Sequence, residues 1–349
     1  MTTARPTVDS IHRARTARPS TVGTLLGSAL IVVLAVMPFV AYADVTDQLV
    51  TLFVLLIIAS MWNLLAGFAG LVSVGQQAYI GIGAYGTLAF SLAGVQPWLA
   101  ILLGAAVCAA VSLPTSLLAF RLRGDYFAVG TWVIAEVYRL LIIRVPGLGG
   151  PSGTSLTQLS AIDPALRGAI TYWVAFALAL ATVGACFLLL RGRIGLALTA
   201  VRDNESAAGS LGVDVVRAKR IVYLVAAAGA GSAGGLLLVQ ALSVQPDAIF
   251  SVQWSAYMIF IVVLGGTGRI EGPIVGAVIF FALQNLLSDY GAWYLVVLGA
   301  VSVAAAIWLP EGIWGLVARR TGFRFFPIGF EVTGVRLEGV GRRRRAKAG

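Results

Sequence analysis

Ten stretches of about twenty residues, nearly free of charge, recur along this chain, and no other feature limits its fold so strictly. They lie near 24–43, 48–66, 72–93, 98–120, 126–143, 168–190, 221–243, 252–267, 273–288 and 292–309. A helix needs about 20 apolar residues to cross the hydrocarbon core of a bilayer. Within lipid no water satisfies the backbone, so a spanning segment must be a helix or part of a closed barrel. Barrel strands alternate apolar and polar residues over segments of about 10 residues, whereas these runs are continuous. The expectation is an all-α, polytopic membrane helix bundle with about 8–10 transmembrane helices. The lower number applies if 252–267 and 273–288, joined by GTGRIEGP, form a re-entrant hairpin. Composition agrees: 59% of the 349 residues are hydrophobic and 11% charged, against about 25% charged in soluble domains.

The charges set the orientation. With an even number of spans both termini share a side, and Lys and Arg collect on the cytoplasmic side. Placing the N terminus inside puts 22 basic residues there and only Arg144 and Arg167 outside, with Arg139 inside a span. Both termini are therefore expected to be cytoplasmic, and the net charge of +10 reads as topology, not as a nucleic-acid footprint. The chain divides into an Arg-rich tail (1–23), a transmembrane domain (24–309) with a cytoplasmic loop at 191–220, and a basic tail (310–349). The first tail reads as irregular. The second ends in GRRRRAKAG, either a solvated, topology-fixing run or a contact for anionic lipid at about 1 kcal/mol per basic residue. Arginines, an apolar run and Ala41-Tyr42-Ala43 imitate a signal peptide, but the run is long for one, so a retained first span is expected. The outside loop near 144–167 is rich in Gly and Pro and reads as irregular.

The chemistry of catalysis is missing from the pattern. No phosphate-binding G-x-x-x-x-G-K-[ST] motif occurs. Two G-x-G-x-x-G matches, Gly81–Gly86 and Gly229–Gly234, fall inside apolar runs, where small residues let membrane helices pack closely. His12, the one histidine, lies in a polar tail, and Cys108 and Cys186 lie in apolar runs, so no metal or cofactor is expected in this chain. An enzyme is a poor hypothesis. Ionisable groups at membrane depth mark routes or partners. Glu136 and Arg139 qualify, one turn apart, with Glu136 roughly 15 Å from the inner end of its span. They line a substrate route or form an ion pair that fixes packing. Gln76, Gln77 and Tyr79 sit in SVGQQAYIG, whose glycines favour an interrupted helix of the kind that exposes backbone to a cavity.

The segment AVRDNESAAGSLGVDVVRAKR (200–220) is polar between two apolar runs. Ala200, Asn204, Ala207, Ala208 and Leu211 recur at helical spacing, which predicts one short helix with a small-residue face. Gly212 suits its stop. Such a face fits close approach to a soluble partner or another loop.

GRIGLALTAVRDNESAAGSLGVDVVRAKR (192–220) resembles the coupling loop of permeases in the branched-chain amino acid ABC importer family. GLVSVGQQAYIGIGAYG (70–86), RLRGDYFAVGTWVIAEVYRLL (121–141), LGGTGRIEGPIVGA (264–277) and LPEGIWGL (309–316) are similar to further segments of that family, in the same order. The resemblance covers about 60–316. It implies an importer in which this permease pairs with a second homologous permease and two ATP-binding subunits, while an extracytoplasmic binding protein delivers substrate. It implies a multi-pass bacterial-type plasma membrane location, in contact with lipid. Arg202, Asn204, Glu205, Ala207, Ala208 and Gly212 match the loop pattern and are implied to dock on the ATPase. Many relatives carry histidine where this chain has Gln76, which leaves urea or amides as alternative substrates to hydrophobic amino acids. A stand-alone secondary carrier and a non-transporting scaffold are the rival readings from the residues alone.

Overall fold

Prolines, capping carboxylates and the ends of the apolar runs set the helix boundaries. In the computed structural model, residues 12–15, 21–287, 290, 293–309, 311–321, 325–326 and 330–333 are described. The helices are α1 (Thr21–Val40), α2 (Ala43–Asn63), α3 (Gln77–Leu92), α4 (Pro97–Ala119), α5 (Asp125–Ile143), α6 (Pro164–Arg191) and α7 (Arg193–Asp203). They continue with α8 (Glu205–Ser210), α9 (Val215–Ala241), α10 (Pro246–Ile249), α11 (Gln253–Gly265), α12 (Glu271–Leu287), α13 (Trp293–Trp308) and α14 (Gly312–Thr321). Proline opens α4, α6 and α10, where its missing N–H has no intrahelical partner to lose. Asp163 caps α6, its Oδ1 accepting from the amides of Ala165 (2.9 Å) and Leu166 (3.1 Å). Asp214 caps α9 through the Arg217 amide at 2.9 Å.

The bundle is built around α3, α4 and α9, which pack on one another, with α2 laid between α9 and α6. Glycine makes this closeness possible. A Cβ on Gly83 would strike the Gly231 backbone of α9, and one on Gly234 would strike the Ile80 carbonyl of α3. The two G-x-G-x-x-G matches are therefore the two faces of one helix crossing, as the small-residue reading expects. Tyr79 and Tyr223 meet edge to face across it, their ring centroids 5.8 Å apart.

Among the described residues six helices are long and apolar enough to cross a membrane: Ala43–Phe68, Pro97–Ala119, Asp125–Ile143, Pro164–Arg191, Val215–Ala241 and Pro246–Gly265. A seventh is the bent pair Val296–Trp308 and Gly312–Arg320, if counted as one span. Gly27–Val40 and α12 are apolar but shorter. The chain is thus a polytopic, all-α membrane protein. The expected continuous span at 72–93 is corrected: α2 runs on through a π-helical turn, Leu64–Phe68. The chain is non-helical from Gly70 to Gly75, and α3 is only 16 residues long. Gly70, at φ +68, makes the turn out of the helix. Helices α11 and α12 pack as a hairpin, with glycines 265, 272 and 276 so close to the facing backbone that a Cβ at any of them would collide.

Among the described residues two small ladders close the loops. β2 (Thr154–Ser155) pairs antiparallel with β3 (Ser243–Val244), pinning the 144–163 connection, which also holds short 3-10 turns at Gly150–Ser152 and Thr157–Leu159, to the end of α9. β1 (His12–Arg15) pairs antiparallel with β4 (Phe330–Thr333). The N-terminal tail is therefore not irregular throughout, because its central residues find a strand partner in the C-terminal tail. The GRRRRAKAG run lies outside the described residues.

Candidate functional site

The polar loop after α6 is two helices, not one. Asn204 interrupts the expected helix with extended backbone (φ −159, ψ 105), and its side chain caps α8 by accepting from the Ala207 amide at 3.0 Å. Asparagine prefers such a cap to a helix interior because its short amide satisfies an otherwise free N–H. At the far end the amides of Gly212 and Val213 donate to the carbonyls of Gly209 (3.0 Å) and Ala208 (3.1 Å). This is a Schellman closure, and Gly212 supplies the left-handed residue it requires at φ +82. The loop is a short rod fixed at both ends.

The interruption re-aims the side chains. Asn204, Ser206, Ala207, Leu211 and Gly212 are exposed, with no atom within 4 Å of where a Gly212 Cβ would sit. Ala208, expected on the outer face, is 2% exposed and packs inward. Glu205 pairs with Lys219 of α9 at 2.7 Å, tying the rod to the span that follows it. Arg202 keeps 39% of its side chain exposed, while its Nη1 reaches across to donate to the Gly67 carbonyl at 3.0 Å. Its Nε (3.1 Å) and Nη2 (3.0 Å) bond Asp203 Oδ1.

In the interrupted segment before α3, the backbone groups of Ser73 and Val74 are satisfied by side chains of neighbouring elements. Trp62 Nε1 donates to the Ser73 carbonyl at 2.8 Å. Ser255 Oγ donates to the Val74 carbonyl at 3.0 Å, and the Val74 amide donates to Thr131 Oγ1 at 3.3 Å. Gln77 is buried and hydrogen-bonded through Oε1 to Ser255 Oγ. Neighbouring Gln76 is 0% exposed, yet neither its Oε1 nor its Nε2 has a partner among the described residues. Buried amides are nearly always hydrogen-bonded, so this pair of orphaned groups marks the segment as unusual.

Glu136 and Arg139 lie elsewhere, on the open face of α5. Arg139 Nε bonds both Glu136 carboxylate oxygens, at 2.9 and 3.0 Å. Its Nη1 reaches Asp247 of α10 at 2.5 Å. Glu136 is half exposed amid exposed Trp132, Val133 and Leu140. The structure thus gathers Gln76, Gln77 and Tyr79 into one buried region, but not with the Glu136–Arg139 pair.

Sequence reasoning passed over Asn63, a lone amide in an apolar run. Its Nδ2 donates to the Arg269 carbonyl at 2.8 Å and its Oδ1 accepts from the Gly268 amide at 2.9 Å. Its polarity inside the run was the available signal. Among the described residues no three His, Cys, Asp or Glu side chains converge as metal ligands would.

Residues 44–306 match the family model described as branched-chain amino acid transport system, permease component. The high-affinity branched-chain amino acid transport permease LivM of Salmonella typhimurium is 29% identical over 82% of this chain and 73% of its own length. The LivM protein of Escherichia coli is 28% identical over the same shares. The ribose import permease RbsC of Escherichia coli is 28% identical over 64% of this chain and 72% of its own. No solved structure gives a significant match.

Proposed function

The chain belongs to the family of permease components of branched-chain amino acid transport systems, and on that premise we propose that it is one membrane subunit of an ATP-driven importer. Its substrate is a branched-chain or other hydrophobic amino acid handed over by an extracytoplasmic binding protein. A second homologous permease completes the pathway, and two ATP-binding subunits supply energy for which this chain has no motif. It resides in a bacterial-type inner membrane, with both tails and the 191–220 loop in the cytoplasm. The pairing of β1 with β4 supports a shared side for the tails, and apolar residues exposed along α1 and α13 support lipid contact.

The observation that carries the reading is the capped rod at 204–212, held between the two long spans α6 and α9. A rigid, small-residue projection at the end of spans is what a closing ATPase pair can push on. Asn204, Ala207 and Gly212 offer the exposed contact and Glu205 trims it, while Ala208 packs beneath. An apolar side chain crosses an apolar route with little specific binding, so the binding protein sets most of the selectivity. The unpartnered amide of Gln76, with Gln77 and Tyr79 beside it, supports a polar contact for the substrate's charged ends. Glu136 and Arg139, on an open helix face, support a lining facing the second permease, because a charge is costly against lipid.

The orphaned amide and the ribose permease among the relatives favour one second reading, a more polar solute such as urea, an amide or a sugar. Reconstitution with partner permease, ATPase subunits and binding protein tests both. ATP-dependent uptake of labelled leucine, unaffected by excess urea or ribose, is expected. Uptake without ATP by this chain alone would overturn the reading in favour of a secondary carrier. Ala207→Trp should release the ATPase subunits and lower uptake by about tenfold or more, the scale of an interface hot spot, with membrane insertion intact.

A further inference from the structure

The carbonyls of a helix's last turn have no donor within the helix, and here one of them is taken by a side chain from a distant loop. Gly67 lies in the π-helical turn that ends the first long span, and its carbonyl accepts from Arg202 Nη1 at 3.0 Å. A cation at a helix C terminus also meets the negative end of the helix dipole. Asp203 holds the other two nitrogens of the guanidinium, so its plane is fixed from both sides. The same place receives the α11–α12 connection. Gly268 packs so tightly on Gly67 that a Gly67 Cβ would lie 2.6 Å from the Gly268 amide nitrogen. Asn63 bonds both the Gly268 amide and the Arg269 carbonyl. Gly70, where the chain leaves the helix, lies against the Arg202 side chain. Three elements therefore meet at one guanidinium: the end of α7, the interrupted segment leading to the buried amides, and the α11–α12 hairpin. π-Helical turns are frequent at functional sites.

We propose that Arg202 is a positioning residue of transport, a strut that carries movement of the 204–212 rod into the interrupted helix at 64–76, and is not itself an ATPase contact. The proposal rests on the importer reading and assigns Arg202 differently from the loop resemblance. A rod docked only through its outer face would rock against the bundle. The strut makes the π-helical turn follow it, and the turn leads directly to Gln76 and Gln77.

The test uses the complete transporter in nanodiscs with binding protein and labelled leucine. In Arg202→Gln the ATPase subunits should stay bound in wild-type ratio. Stimulation of hydrolysis by loaded binding protein should be lost, and uptake should fall by about tenfold or more, within the usual range of coupling between sites. Arg202→Lys should restore part of both. Loss of the ATPase subunits from Arg202→Gln, or normal uptake, would overturn the proposal. A second variant separates coupling from misfolding by comparing one protein in two redox states, because the strain of a side chain at Gly70, at φ +68, is common to both. A Cβ on Gly70 would lie 3.8 Å from Arg202 Cβ, a separation that suits a disulfide, and the native Cys108 and Cys186 are buried. Gly70→Cys with Arg202→Cys should be uncoupled when reduced and recoupled when oxidised, since a covalent strut replaces the ionic one. An oxidised form no better coupled than the reduced one would sink the strut. If the wild-type chain carries no ATPase subunits at all, the importer reading itself fails, a result separable from every result of the variants.

Discussion

Asn63 illustrates how one polar side chain in an apolar helix holds distant chain segments. Both halves of its amide are engaged, by a donor and an acceptor of the 268–269 turn, and the residue is 2% exposed. Asn63→Ala removes both hydrogen bonds to the half-buried Gly268 amide and Arg269 carbonyl, at a cost of about 1 kcal/mol. It should lower the thermal midpoint of the purified protein in detergent, while Asn63→Gln retains part of the stability. A midpoint equal to wild type would mean that the turn finds other partners. Glu271 works similarly at the start of α12: it is 7% exposed, and its Oε1 accepts from the Phe325 (3.0 Å) and Phe326 (2.9 Å) amides. The types of these residues are visible in the sequence. Their partners, about 205 and 55 positions away, are not, because neither periodicity nor composition records which turn folds against which helix.

At the scale of elements, the loop and α5 differ in how far local pattern carries. Gly212 as the helix stop follows from local chemistry and holds, since only the left-handed conformation closes the Schellman turn. The single helix over 200–211 does not hold, because asparagine satisfies a free amide better as a cap than it packs as a face. Beyond that interruption Ala208 is buried, and before it Arg202, still partly exposed, reaches the Gly67 carbonyl. The α5 helix carries the opposite lesson. Glu136 and Arg139 pair as their spacing predicts, but the third member, Asp247, arrives from α10. Glu136→Gln removes the carboxylate that holds the Arg139 Nε and leaves the cation to Asp247. If this face lines the route, uptake should fall by about fivefold or more, the lower end of typical coupling effects, with the thermal midpoint unchanged. A lowered midpoint with normal uptake would assign the pair to packing instead.

At the scale of the whole molecule, the charge asymmetry predicts which end faces the cytoplasm. A cysteine at Ser160 should react with a membrane-impermeant maleimide in intact cells, and one at Ser206 only in inverted vesicles. The reverse pattern would invert the topology and remove the docking role of the rod. The sequence by itself determined that the chain is an all-helical membrane protein with a polar loop between two spans, because hydrophobic length and helix-stop chemistry are local properties. The glycine spacing of two motifs likewise announced close helix packing. Only the tertiary structure decided that those motifs face each other, that the chain leaves the helix after a π-helical turn at Leu64–Phe68, and that Arg202 bonds the Gly67 carbonyl of that turn. Each of these depends on which segments meet, and a backbone carbonyl left free by a broken helix accepts whatever donor the fold brings within reach.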